Sequence, residues 1–265
     1  MYPFAYHRPT TVAEAAARLR DSEEARPLAG GQTLIPTLKQ RLASPDTLVD
    51  LKGIAGLDAI AAEGDGLRIG ALTRHAGVAA SPLVQNVIPA LARLAAGIGD
   101  PQVRNRGTLG GSIANNDPAS DYPAALVGLG AVIGTSERRI AAEDFFTGLF
   151  ETDLEPGEIV TEVWFPRPRR AGYAKFPNPA SRYALVGVFV ADTAAGIRVA
   201  VTGAGPCVFR LAEAERLLSA SFVPTALEAL RVPATGLNAD IHADANYRAH
   251  LVGVMAQRAV AAALL

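Results

Sequence analysis

The chain contains one cysteine, Cys207, in 265 residues. That scarcity excludes an internal disulfide framework, a self-contained Cys₄ iron–sulfur cluster and a multi-cysteine zinc site. Histidine is almost as sparse. His7, His75, His242 and His250 are scattered, with no i, i+4 or His-x-His spacing, which argues against a metal site. No stretch reaches the roughly 18 apolar residues of a membrane span. The opening MYPFAYHRPTTVAEA lacks the basic segment followed by an apolar one that marks a secretory signal. The expectation is a soluble cytoplasmic protein. Charge of one sign is missing too: the formal net charge is −1, with acidic and basic residues interspersed. A nucleic-acid groove would need a clustered basic face, and electrostatic docking to a membrane is equally disfavoured.

What the chain does have is apolar content and glycine. Hydrophobic residues make up 49% and charged residues 19%, enough for a sizeable core in one large domain or two to three smaller ones. Two glycine-rich turns stand about eighty residues apart, AGGQTLIPTL (Ala29 to Leu38) and TLGGSIANNDPASDYPAAL (Thr108 to Leu126). A Gly-Gly step lets backbone approach another group and present N–H donors with no side chain in the way. Two such turns can grip a diphosphate from both sides, so a dinucleotide cofactor is the natural ligand. Neither turn matches G-x-G-x-x-G or G-x-x-x-x-G-K-[ST], which disfavours the Rossmann and P-loop readings.

The rest of the chain reads as α+β. TTVAEAAARLRD suggests a Thr-capped helix, LIPTLKQRLA a helix with Pro36 in its first turn, and DTLVDL a short strand. Residues 1–52 therefore form a small β/α unit. Over 53–166, GLRIGALTRHA reads as a strand and a helix start, NVIPALARLAAGI as one helix, and AVIGTSERRIAAEDFFTG as two strands. EIVTEVWFP alternates as an edge-to-core strand. PRPRRAG is the candidate linker. Residues 172–265 hold two strands in LVGVFVADTAAGIRVAVTGAG, a helix LAEAERLLSA and a long terminal helix in DANYRAHLVGVMAQRAVAAAL.

In the first turn, Gly30, Gly31, Gln32, Thr33 and Leu34 precede a helix start, where free N–H groups favour phosphate oxygens. An ordinary strand–helix turn with a glycine pair for geometry fits the same residues. In the second, Thr108, Gly110, Gly111 and Ser112 make a hydroxyl-rich nest. Asn115, Asn116, Asp117, Ser120 and Asp121 follow, too polar for a mere turn, although Ser120 and Asp121 also suit the cap of the next helix.

These segments resemble the two FAD-binding signatures of the flavoprotein (medium) subunit of molybdenum hydroxylases, the family of the carbon monoxide dehydrogenase medium subunit and the xanthine dehydrogenase flavin domain. The resemblance continues in QVRNRGTLGG, DFFTGLFETDLEPGEIVTEVWFP, KFPNPASRYALVGV and DANYRAHLVGVMAQRAV, and so covers nearly the whole chain. It implies a PCMH-type FAD-binding fold of two subdomains, followed by a C-terminal domain of a small sheet plus helices. It also implies that Leu28, Ala29, Gly30, Gly31, Gln32, Thr33, Leu34 and Ile35, with Thr108, Leu109, Gly110, Gly111 and Ser112, line the FAD diphosphate and ribityl chain. Asn115 and Asp117 belong to the same polar cluster. By the same resemblance Asp121 is a polar partner of the cofactor, Val160 and Lys175 match flavin-contacting positions, and Tyr183 stands where the family can place an aromatic ring on the isoalloxazine. A core tyrosine and a solvated lysine are the plainer readings of the last two.

The resemblance implies non-covalent FAD, because Gln32 and Thr33 stand where covalent flavoproteins of the wider superfamily put a histidine. Ser112 replaces the family's frequent asparagine. Molybdopterin and two [2Fe–2S] clusters would sit on a large and a small partner subunit, in a dimer of heterotrimers. This chain would contribute no catalytic side chain or metal ligand, and would pass electrons from the clusters to an external acceptor such as NAD or a quinone. Two alternatives remain open: a stand-alone FAD-dependent NAD(P)H reductase, and a non-catalytic nucleotide-binding scaffold.

Overall fold

A computed structural model describes residues 1–265 and shows an α+β architecture built on three main sheets. The first is parallel, with Thr47–Asp50 between Ala5–His7 and Arg26–Leu28. Helix Val12–Arg20 covers it. Thr11 caps that helix by accepting from the Glu14 N–H at 3.2 Å, and Ala15, Ala16 and Leu19 on one face pack with Val49. Strand Arg26–Leu28 runs directly into the first glycine turn, and the short helix Leu34–Lys39 leaves it. The sequence pattern extends that helix through Ala43. It stops earlier because Arg41 takes a left-handed conformation, φ 59°.

The second sheet is antiparallel, in the order Ile60–Glu63, Gly66–Gly70, Val160–Pro166, Val132–Thr135, Arg139–Ala141. The strand expected to run from edge to core thus lies at the centre. Its inward residues Val163 and Phe165 are fully buried, packed in one core with helices that include Leu109–Asn115 and Tyr122–Leu129. NVIPALARLAAGI is not one helix. Helix Pro82–Val87 ends, Ile88 turns out of the helical region (φ −138°, ψ 72°), and Pro89–Ala96 begins. Proline excludes the α conformation from the residue before it, and its own missing N–H suits a helix start.

The third sheet is antiparallel: Arg170–Pro177, Ala184–Thr193, Gly196–Thr202, Phe209–Arg210. Its first strand starts inside the proline/arginine-rich segment, and the Arg169 N–H already bonds Asp192 O at 2.8 Å. All ten residues of Ala184–Thr193 are buried. Successive side chains of a strand face opposite ways. Here Phe189 and Ala191 enter the core under helix Tyr122–Leu129, and Val186, Val188 and Val190 enter a second core under helix Ala245–Ala263. A strand covered on both faces reads as a continuous apolar run, as LVGVFVA does. Helix Ala245–Ala263 lies so close to the sheet that a Cβ on Gly172 would sit 2.0 Å from Ala259 O. No helix is long and apolar enough to cross a membrane.

Candidate cofactor site

The two glycine turns meet. A Cβ on Gly30 would lie 2.4 Å from Arg106 O and 2.8 Å from the Gly107 Cα, so the absence of a side chain is what lets one turn touch the other. Where they meet opens a cavity of about 520 Å³, within the range of small-molecule and cofactor sites.

The first turn supplies its wall with unengaged donors. The backbone N–H groups of Ala29, Gly30, Gly31, Gln32, Thr33 and Leu34 make no hydrogen bond within the chain, and all six residues line the cavity. Gly31 adopts φ +74° and Thr33 is in the right-handed region, a mix of left- and right-handed residues of the kind found in anion-binding turns. The Gln32 and Thr33 side chains make no hydrogen bonds to the protein either, which leaves them available to a ligand.

The second turn has a different character from the one the sequence suggests. Its amides are engaged by the protein itself. Gly107 N–H bonds Val103 O (2.7 Å), Leu109 N–H bonds Thr73 O (3.0 Å) and Gly110 N–H bonds Ala71 O (2.8 Å). Gly111 N–H bonds the Thr108 Oγ1 (3.2 Å), which thereby caps helix Leu109–Asn115, and Ser112 N–H bonds Thr108 O. Gly110 is needed for packing: a Cβ there would be 2.5 Å from the Ala71 Cβ. What this turn offers a ligand is the Thr108 N–H, the Ser112 hydroxyl and the Asn115 amide. Asn116, left-handed at φ 40°, donates instead to Gly148 O and Glu151 O and fixes the neighbouring hairpin.

Asp121 opens helix Tyr122–Leu129 but makes no cap hydrogen bond. Its carboxylate is 4% exposed and lines the cavity. Tyr173 OH donates to Oδ1 at 2.6 Å, and the Lys175 ammonium lies 2.9 Å from Oδ1 and 3.1 Å from Oδ2. Burial works to raise the Asp121 carboxyl, and Lys175 and the Tyr173 hydroxyl oppose that rise. Lys175 does not line the cavity. Its remaining donors go to Gly97 O and Arg182 O, both at 2.9 Å. It thus ties the Asn178–Tyr183 hairpin to helix Tyr122–Leu129 and to the end of Pro89–Ala96. That hairpin carries Ser181, Arg182 and Tyr183 into the cavity wall, with Arg182 left-handed at φ 62°. Burial, then the nearby Asp117 and Asp121 charges, raise the Tyr183 phenol.

Of the residues singled out from sequence, the cavity gathers Ala29 to Leu34, Thr108, Gly110, Gly111, Ser112, Asn115, Asp121, Val160 and Tyr183. Leu28, Ile35, Leu109, Asp117 and Lys175 stand behind its surface. Asp117 instead accepts from the Ala119 N–H at 2.9 Å and shapes the loop. The cavity also takes residues that sequence reasoning did not select, among them Leu51, Ala71, His75, Ile98, Gly107 and Ile159. Ile98 ends the segment NVIPALARLAAGI and Ile159 lies in EIVTEVWFP, but an apolar residue type there reads as core and marks no ligand contact. His75 had a signal only as a lone histidine just after Ala71 and Thr73, whose carbonyls the second turn bonds.

A nest of free amides, a hydroxyl and amide wall, a paired buried carboxylate and an aromatic ring around one cavity define a protein that holds a long, partly anionic, partly aromatic cofactor. Comparison with known proteins agrees. Residues 2–168 match the family described as the FAD binding domain in molybdopterin dehydrogenase, and the chain belongs to that family. It is 36% identical to the nicotine 6-hydroxylase medium subunit of Paenarthrobacter nicotinovorans, over 96% of this chain and 95% of that one. It is also 36% identical to the carbon monoxide dehydrogenase medium chain of Hydrogenophaga pseudoflava, over 98% and 96% of the respective lengths. A solved structure titled as reconstituted CO dehydrogenase from Oligotropha carboxidovorans superposes with a TM-score of 0.92 at 35% identity, covering 98% of this chain and 97% of that one. Quinoline 2-oxidoreductase from Pseudomonas putida 86 gives 0.89 at 30% identity, covering 99% and 98%. The chain is thus an FAD-binding, medium-subunit-type component of the molybdenum hydroxylases, a family of oxidoreductases.

Proposed function

We propose that this chain is the electron-exit subunit of a molybdenum hydroxylase, and that it takes electrons from [2Fe–2S] clusters on a small partner and delivers them to an external acceptor, NAD or a quinone. A large partner would carry molybdopterin and act on the organic substrate, the whole forming a dimer of heterotrimers in the cytoplasm. One observation carries the cofactor part: the unbroken row of free amides from Ala29 to Leu34 lines the same cavity as Asp121 and Tyr183. The medium-subunit relatives support the partner part, as does a chain whose one cysteine cannot ligate a cluster.

When bound, FAD supplies the redox chemistry. The chain's residues bind and orient it. The Ala29–Leu34 amides would hold the diphosphate, with Thr108 N–H, Ser112 and Asn115 across from them. Asp121, fixed by Lys175 and Tyr173, would present a carboxyl oxygen to an N–H donor of the cofactor. Tyr183 would pack an aromatic face against the isoalloxazine and exclude water from that side. No cysteine or histidine lies in the first turn, so attachment is non-covalent.

The test is an absorption spectrum of the native complex purified through a tag on this chain, with the co-purifying subunits identified. Flavin bands together with iron–sulfur absorbance and two further subunits are expected. A yellow single chain that rapidly oxidises NADH would replace this reading with a stand-alone reductase. A colourless preparation would overturn the cofactor assignment.

A further inference from the structure

His75 begins helix His75–Ala80 and is 4% exposed. Its ring sits between the Tyr122 ring, 5.4 Å away centre to centre, and the leading edge of the second glycine turn. The fit to that turn is close: a Cβ on Gly107 would lie 2.5 Å from the His75 Nε2. Gly107 thus clears the imidazole edge where the ring reaches the cavity wall, and both residues line the cavity. The ring is poorly served by the protein. Nδ1 is enclosed with no hydrogen-bond partner, and the hydroxyl of the neighbouring Tyr122 ring is likewise buried and unbonded. Nε2 bonds to no group of the chain either. Burial, reinforced by the Arg104 charge, pushes the imidazole down to about 4, so at neutral pH it is uncharged.

A buried polar ring without a partner costs stability that a phenylalanine of similar shape would not. An imidazole in such a place is accounted for by a ligand that completes it. We propose that His75 is a cofactor-binding residue whose Nε2–H donates to an oxygen of bound FAD on the second-turn side of the cavity, through the gap left by the missing side chain of Gly107. The tautomer follows from the enclosure. With no acceptor near Nδ1, the proton resides on Nε2, the one ring nitrogen that meets the cavity. The second turn has engaged nearly all its own amides, so a side-chain donor arriving from the neighbouring helix supplies what that wall lacks.

The inference rests on the FAD reading of the cavity, and the test separates the two. The protein, in the assembly in which it is isolated, is stripped of FAD and titrated with FAD by flavin fluorescence, alongside H75F and H75Q. H75F is expected to raise the Kd about tenfold while its FAD-free form melts at the same temperature or higher, because the orphaned nitrogens are gone. H75Q, whose amide N–H can extend toward the same acceptor, is expected to recover most of the affinity. Wild-type affinity in H75F overturns the proposal alone. So does an FAD-free H75F that melts lower with affinity falling in step, since the ring is then structural. If the wild-type protein does not bind FAD, the cofactor reading falls and this proposal with it.

Discussion

The two glycine turns look alike in the sequence and do opposite things in the fold. In the first, glycine serves conformation and openness: Gly31 takes a left-handed φ, and the amides from Ala29 to Leu34 are left free. In the second, glycine serves packing. Gly107 and Gly110 let the turn press against His75 and Ala71, while its amides bond Val103, Thr73 and Ala71. One turn leaves its amides open to the cavity and the other spends its amides on the frame beside it. A Gly-Gly step reports only that a side chain would be in the way. Whether it would obstruct a ligand or a neighbouring strand is decided by what lies opposite.

That contrast can be broken at several points. The largest effect is expected where the frame continues through Asp121 to the C-terminal sheet. Lys175→Met leaves a buried carboxylate without its cation, at about 3–5 kcal/mol. The melting temperature should fall by on the order of 10 °C with or without FAD, as differential scanning calorimetry would register. A melting point that moves only in the FAD-bound protein would show that Lys175 serves the ligand and not the frame.

The pH dependence of the FAD-free protein comes next. The His75 pKa is lowered from 6.5 to about 4. Between those values the unfolded chain binds a proton that the folded one refuses. Stability is therefore lost as pH falls from 6.5 toward about 4, by up to about 3 kcal/mol, and changes little from this group above or below. Melting curves of wild type and H75F should run parallel above about pH 7 and diverge as pH falls toward 4, the wild type dropping below H75F. Parallel curves throughout would contradict the buried, neutral imidazole.

The smallest and sharpest comparison pairs Gly110→Ala with Gly31→Ala. The first overpacks against Ala71 and should cost about 1–3 kcal/mol of stability in the FAD-free protein. The second forces a Cβ into a left-handed conformation beside the free amides, at about 1–2 kcal/mol, and should weaken FAD binding more than Gly110→Ala does. Isothermal titration and thermal melts on both variants read the two quantities side by side. Equal losses in both would erase the distinction between the turns.

Much of the fold could be read from residues whose pattern is local. The Thr11-capped helix, the doubly covered strand Ala184–Thr193 and the terminal helix each carry their periodicity or cap in consecutive positions. What escaped depends on distant backbone. The second turn's amides are taken by carbonyls of Ala71 and Thr73, some forty residues upstream, and a carbonyl leaves no trace in residue type. The same holds for Lys175, whose partners include the carbonyls of Gly97 and Arg182. The family resemblance gave it as a flavin-contacting position and its charge alone as a solvated lysine; in the structure its ammonium pairs with the buried Asp121 and does not line the cavity. The break at Ile88 was legible in principle, since Pro89 restricts the residue before it, but the apolar periodicity runs on across the gap and masks it.

The strand Ala184–Thr193 has a mechanical consequence. Alternate side chains of one ten-residue segment finish two different hydrophobic interiors, so neither interior is complete without the other's wall. The C-terminal sheet therefore cannot swing as a separate flap over the cofactor cavity without tearing Phe189 out from beneath the Tyr122–Leu129 helix. Any motion that widened the cavity would have to come from small segments such as the Asn178–Tyr183 hairpin, while the two interiors, sharing one strand, hold the cavity's far wall in a single position relative to the rest of the chain.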